Sequence, residues 1–234
     1  MQNFRILLTL CVILAPAGLL AEVFGYTEPR RTAEMAFAEG GILSEILVEE
    51  GDRVQRGDTL ARLNAGVLEA DLKIAKEQVG FQQLKFGQYE RLRESGNASI
   101  EEFERAKSDL MIAQFQVERI QAQLDDRSLQ APFNAVVTRI HRELSENAAA
   151  QSAAMTIVEL DTLQLNLNIP VRLVESFQVG HEVSLRMGEA VVPAAVAFIS
   201  PTIDAASQTV RVTFIIDNSN GRYPSGLRCA LIDD

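Results

Sequence analysis

The chain has 234 residues, 47% of them hydrophobic, which is too apolar for disorder and enough for packed cores. Trp is absent and aromatic residues make up only 6%, a balance that suits several small or elongated modules better than one thick core. Lys and Arg total 22 against 32 Asp and Glu, a formal charge of -10, and with no basic run this argues against a nucleic-acid binder.

Residues 1–21 read as a signal peptide or N-terminal anchor. Arg5 is the early charge, Ile6 to Leu20 is almost wholly apolar apart from Pro16, and polar sequence begins after Ala21-Glu22. About 18 apolar residues nearly span a bilayer, so an uncleaved anchor stands beside cleavage as a reading. Leu10 before Cys11 argues against a lipoprotein, which needs a small residue there. Cleavage would leave Cys229 as the mature chain's one cysteine, with no internal disulfide and a small core residue as its expected role.

Arg30 to Phe37 reads as a strand leading into a β segment, Gly40 to Leu63. Within it Ile42, Ile46 and Val48 are expected on one face and Leu43 with Leu47 on the other. Gly51-Asp52 and Gly57-Asp58 are two turns, with glycine where positive φ is needed. Val54, Leu60 and Leu63 are the further apolar positions of this unit.

A helical pattern follows. Leu68, Leu72, Ala75, Val79, Gln82, Phe86 and Tyr89 step alternately by four and three, with Gln82 the polar intruder. Phe103, Ala106, Leu110, Ala113, Val117, Ile120 and Leu124 repeat the rule. Each helix spans about 27 residues, or about 40 Å. Between them Arg91 and Arg93 suit the end of a helix dipole, Gly96 supplies a left-handed stop, and Ser99 with Glu102 forms a capping box. So short a connection makes the helices antiparallel, a two-helix coiled coil with its tip at Gly96 to Ser99.

Leu129-Gln130-Ala131-Pro132-Phe133 opens a second β segment, in which Val136, Thr138 and Ile140 alternate with Val137 and Arg139. Aligning Ile42 with Val136 and Ile46 with Ile140 exposes a degenerate repeat, although Ser145-Glu146 stands where Gly51-Asp52 would be. The halves are expected to pair into one small sandwich, since neither buries its apolar face alone. From about Leu163 short strands take over: Leu163 to Ile169, Val183 to Met187, Val210 to Ile216, and Leu227 to Ile232 after an Asn220-Gly221 turn, with a short helix at Val171 to Phe177. This texture suggests a small β-barrel.

His141 reads as a strand-surface residue and His181 as a turn residue, so with one mature cysteine no metal site is expected. No phosphate loop or nucleophile triad is recognisable, and neither a cofactor nor catalysis is expected. A lipoyl or biotin carrier would need a lysine at a tight turn between the β halves, whereas Lys73, Lys76, Lys85 and Lys107 lie on the helices. A cell-envelope scaffold without transport shares every feature named so far. Ser99 is most cheaply explained as an N-cap, which is compatible with display at a tip.

In this order, three motifs resemble the HlyD-like periplasmic adaptor subunits (membrane fusion proteins) of bacterial tripartite efflux pumps. They are Gly41 to Leu63, the Leu129 to Phe133 re-entry, and Ile199-Ser200-Pro201-Thr202-Ile203-Asp204 through Ser207-Gln208-Thr209-Val210-Arg211-Val212. The resemblance runs from about Arg30 to Leu231. It implies a mainly β fold with a long α-helical hairpin: a split lipoyl (barrel-sandwich hybrid) domain at 30–64 and 128–161, the coiled-coil hairpin at 65–127, and a β-barrel domain at 162–232. It further implies a homo-oligomer in the periplasm, associated with the inner membrane. Such an adaptor links an inner-membrane efflux transporter to an outer-membrane channel that meets the hairpin tip. The tip residues here are Gln88, Arg91, Leu92, Gly96, Asn97 and Ser99. The family often carries an Arg, a Leu and a Ser where this chain has Gln88, Leu92 and Ser99, so the usual Arg is missing. Where the barrel motif usually has Arg, this chain has Gln208. Only Asp233-Asp234 follow the last strand, so the membrane-proximal β domain common in the family is expected to be small or absent.

Overall fold

The computed structural model describes residues 23–232, so the signal or anchor segment with Cys11 lies outside the described residues. The elements are mostly β: β1 (Phe24–Ala36), β2 (Gly41–Ile46), β3 (Arg53–Val54), β4 (Thr59–Leu63), β5 (Ser128–Gln130), β6 (Ala135–Ile140), β7 (Asn147–Ala148), β8 (Ala153–Pro170), β9 (Glu182–Met187), β10 (Ala190–Asp204), β11 (Thr209–Asp217) and β12 (Arg228–Leu231). Two long helices, α1 (Gly66–Glu94) and α2 (Ile100–Asp125), interrupt the strands after β4, and a single turn, α3 (Val171–Val174), follows β8. The chain forms two compact units, one from Thr27–Gln164 with Ile215–Leu227, the other from Leu165–Phe214 with the pieces up to Tyr26 and from Arg228.

In the first unit the strands before the helices pair with the strands after them. β2 pairs with β7 (Gly41↔Ala148, Ile42↔Asn147), β3 with β6 (Arg53↔Val136, Val54↔Ala135) and β4 with β5 (Thr59↔Gln130). The first two pairings are the same pairing seen twice. The shift that carries Ile42 to Val136 carries β2 onto β6 and β3 onto β7, residue for residue. It also carries buried Leu43, Val54, Leu60 and Leu63 onto buried Val137, Ala148, Ala154 and Ile157. Neither half could bury these side chains alone, and together with Phe37, Leu129 and Met155 they make one core.

Three Asx-like turns repeat along the halves. Gly51 and Gly57 have φ of +100° and +93°. The following carboxylates, Asp52 and Asp58, accept from the N–H groups of Glu49 and Gln55 at 2.8 Å. At the equivalent places Ser145 and Gln151 take φ of 67° and 59° without being glycine, and the Glu146 carboxylate accepts from the Glu143 N–H at 3.0 Å. That bond and a second one from Arg142 hold the Glu146 carboxyl below its ordinary range. The turn is therefore kept where its glycine is lost, because β2 and β6 dictate it symmetrically: Gly51 N–H donates to the Val137 carbonyl and Ser145 N–H to the Leu43 carbonyl, both at 2.8 Å.

Three expectations need correction. The faces of β2 do not alternate as read. A bulge between Leu43 and Glu45 puts Leu43 in the core (2% exposed) with Ile46 and Val48 packed on it, and turns Ile42 outward (54% exposed). The same bulge recurs in β6 between Val137 and Arg139. The first strand starts at Phe24 rather than near Arg30, because its early residues pair with β12. The short helix expected to reach Phe177 stops at Val174, where the Ser176 hydroxyl donates to the Leu173 carbonyl at 2.7 Å.

The second unit stacks β1, β12, β9, β10, β11 and the end of β8 side by side. Its core is Leu165, Leu167, Ile169, Leu185, Met187, Val192, Val196, Val212 and Phe214, with Phe177 edge-on to Phe214 at 5.9 Å. Gly25 is required in β1, since a Cβ there would stand 2.8 Å from the Asn166 carbonyl oxygen. Cys229 is buried in β12, and burial pushes its thiol up to about 11, an inert packing residue.

Candidate functional site: the connection between the two long helices

α1 and α2 run antiparallel. Lys85 Nζ meets Asp109 Oδ2 at 3.0 Å, the Phe86 and Phe103 rings lie 5.5 Å apart, and the Arg93 guanidinium stacks on Phe103 at 4.4 Å. The seam positions are the ones withdrawn from solvent: Ala75, Ala106, Leu110, Ala113 and Ile120 are buried, and Leu68, Leu72, Val79, Phe86, Tyr89, Phe103, Val117 and Leu124 are half-buried. Gln82 is in the seam as well, its Oε1 buried without a donor. Small side chains at three of the five buried positions let the backbones approach, so helices of 29 and 26 residues are joined by a narrow apolar strip.

The connection is built from backbone bonds. Ser95 caps α1, the Gly96 N–H donates to the Arg93 carbonyl at 3.0 Å and the Asn97 N–H to the Leu92 carbonyl at 2.7 Å, with Gly96 at φ +73°. This is a Schellman stop, which needs the left-handed residue that glycine supplies cheaply. The Ser95 hydroxyl bonds the Arg91 and Leu92 carbonyls at 3.0 Å, and Asn97 Nδ2 donates to the Ser95 oxygen at 3.1 Å. Ser99 then starts α2 with a full capping box: Glu102 N–H donates to Ser99 Oγ at 3.2 Å, and Ser99 N–H donates to the Glu102 carboxylate at 2.9 Å. These bonds hold the Glu102 carboxyl below its usual range.

Gln88, Arg91, Leu92, Gly96, Asn97 and Ser99 are all exposed; five of them crowd the connection, and Gln88 lies further back on α1. Leu92 stands 42% exposed in the last turn, outside the seam. Two residues there escaped the sequence reading. Ser95 ties the stop together, and Ile100 is 69% exposed at the first turn of α2. Ile100 is an apolar side chain in the first residue of α2, directly after the capping Ser99, and an aliphatic residue in so polar a connection is the signal that could have found it. A rigid, solvent-facing tip with two unburied aliphatic groups and the Asn97 amide can bind a protein surface. It offers no paired acid and base for chemistry.

No family model matches the chain. Among curated proteins it is 28% identical over 228 residues to the nodulation protein NolF of Rhizobium meliloti, covering 88% of this chain and 60% of that one. It is 24% identical over 261 residues to the multidrug resistance protein MdtE of Escherichia coli K12, covering 95% and 67%. It is 25% identical over 156 residues to the probable efflux pump periplasmic linker protein SepA of Pseudomonas putida, covering 65% and 41%. The chain thus spans between 41% and 67% of the length of these curated relatives. In fold it is similar to a MacA–MexA chimeric protein carrying the Pseudomonas aeruginosa MexA α-hairpin domain, with a TM-score of 0.75 at 17% identity over 91% of this chain and 81% of that one. In sequence the chain is thus similar to proteins that include a multidrug resistance protein and a probable efflux pump periplasmic linker, and in fold to a MacA–MexA chimera.

Proposed function

We propose that the chain is a periplasmic adaptor that links an inner-membrane transporter to an outer-membrane channel for efflux of small molecules across the envelope. The observation that carries this reading is the helix pair: two long antiparallel helices leave a doubly paired β unit and end in a rigid, capped connection that shows Leu92, Asn97 and Ile100 to solvent. In this reading residues 65–127 are a coiled-coil α-helical hairpin, 30–64 and 128–161 a split lipoyl-like domain, and 162–232 a β-barrel. The protein is exported by residues 1–21 or anchored by them at the inner membrane. Copies associate through their β domains, and the hairpin tips (Gln88, Arg91, Leu92, Gly96, Asn97 and Ser99) meet the channel. Gln88 gives that contact an uncharged amide where the family often has Arg, and Arg91 supplies the nearby charge.

The protein does no chemistry in this role: it sets the distance and the seal between two membrane proteins. The test is complementation. In cells lacking this protein, accumulation of a panel of fluorescent dyes should rise, and the wild-type chain should reverse it. Leu110→Asp with Val117→Asp should fail to reverse it although the β units still fold. Export at the wild-type rate by that variant would contradict the adaptor role.

A further inference from the structure

α1 and α2 hold each other unevenly along their length. Between Val79 and Phe86 the seam position of α1 is Gln82, whose side-chain oxygen is buried without a donor. The large apolar side chains of this stretch, Phe81 and Leu84, are 61% and 71% exposed, so they give the seam little. Gly80 and Gly87 bracket it. A Cβ at Gly80 would meet nothing within 4 Å, and one at Gly87 would meet the Arg91 guanidinium at 3.8 Å, an ordinary contact. Both lie in regular helix, so neither close packing nor a left-handed backbone requires glycine at these positions. Each glycine nevertheless disfavours helix roughly five-fold against alanine. The Lys85–Asp109 pair bridges the stretch from the surface, where an ion pair adds little. It also sets residues 107–114 of α2 level with the stretch. There the sequence has no glycine or proline, and Leu110 and Ala113 are buried.

We infer that residues 80–87 of α1 are a hinge. α1 opens here while α2 remains helical as the strut. The part of the pair that carries the connection at Gly96 to Ser99 then tilts against the part that joins the β strands. Two features choose a local hinge over a uniformly weak pair. The weakness lies on one helix, so opening it leaves a continuous connection. It also brings three separate causes together within about two turns. These are backbone entropy at the two glycines, a polar side chain in the seam, and apolar side chains turned out of it. The inference rests on the tip being the docking end, as proposed above. A hinge lets a stiff, capped tip meet its partner at more than one angle without loosening the cap.

Hydrogen exchange on the full chain, as cells process it, reads the hinge directly. Backbone amides of residues 81–88 are expected to exchange about ten-fold or more faster than those of 107–114. Gly80→Ala with Gly87→Ala, which the open space allows, should bring the two segments within about three-fold of each other. Equal exchange in both segments of the wild-type protein would overturn the hinge. The second readout is dye efflux in the complementation assay above. The double variant should melt at a higher temperature and yet lose export. Gln78→Ala with Gln83→Ala, at exposed positions of the same helix, should export as the wild type does. Full export by the stiffened variant would show that the bend is not used, and would overturn its role. Lost export with unchanged exchange would assign the glycines to close contact with another helix, and would overturn it too. The exchange measurement needs neither transporter nor channel, so it decides the hinge even where the efflux role fails.

Discussion

The β repeat and the helix pair are stabilised in different ways. In the first unit Leu43, Leu60, Leu63, Met155 and Ile157 are almost free of solvent, and each strand of one half is held by a strand of the other. Between α1 and α2 the fully buried side chains are Ala75, Ala106, Leu110, Ala113 and Ile120, and little else is withdrawn completely. Apolar burial contributes roughly 25 cal/mol per Å², so a strip with three alanines among its five buried residues and its larger side chains mostly half-buried stabilises its element less than a closed core does. The helix pair is therefore expected to open at a lower free energy than the β core, as elements with few buried contacts do.

The sharpest way to break this difference is Leu110→Asp with Val117→Asp. Two carboxylates placed at a buried and a half-buried position of the strip should melt both helices, losing most of the helical circular dichroism while strand signal persists. Loss of both signals together would show that the two regions fold as one. Next comes Leu60→Ala in the β core, expected to cost about 2–5 kcal/mol in denaturant unfolding because the closed core cannot collapse around the cavity. The repeat itself can be probed at its turns. Gly51→Ala forces a side chain into the left-handed region and should cost about 1–2 kcal/mol, whereas Ser145→Gly should relieve part of that strain and be neutral or stabilising. The smallest effect is at the cap. Glu102 has a lowered folded-state pKa, so its contribution is present above its unfolded value and is lost as pH falls through the folded one. Helix loss on acidification should therefore be blunted in Glu102→Gln, a difference that thermal melts at acidic and neutral pH would measure.

The helix seam was legible because its spacing is local: burial follows the three-and-four steps from Leu68 to Tyr89 and from Phe103 to Leu124. The Gly51 and Gly57 turns were legible for the same reason, since glycine before aspartate carries both the conformation and its acceptor. The faces of β2 were not, because a bulge at Ser44 leaves no mark in composition and reverses the reading of Ile42 and Leu43. The Ser145 and Gln151 turns were hidden as well, because cross-strand bonds impose their positive φ on residues that do not advertise it. At the tip, Gly96 and Ser99 were readable as stop and start. Ser95 became visible only when its two carbonyl partners were in place.

The central claim is that the tip of the helix pair binds an outer-membrane channel. The most direct measurement places a photo-crosslinking residue at Leu92, and separately at Asn97, in living cells and identifies what is captured. Capture of an outer-membrane channel protein at both positions is the predicted result, with loss of capture when Leu110→Asp and Val117→Asp are added. Capture of only further copies of this chain, or of nothing, while the protein is present and folded, would contradict it.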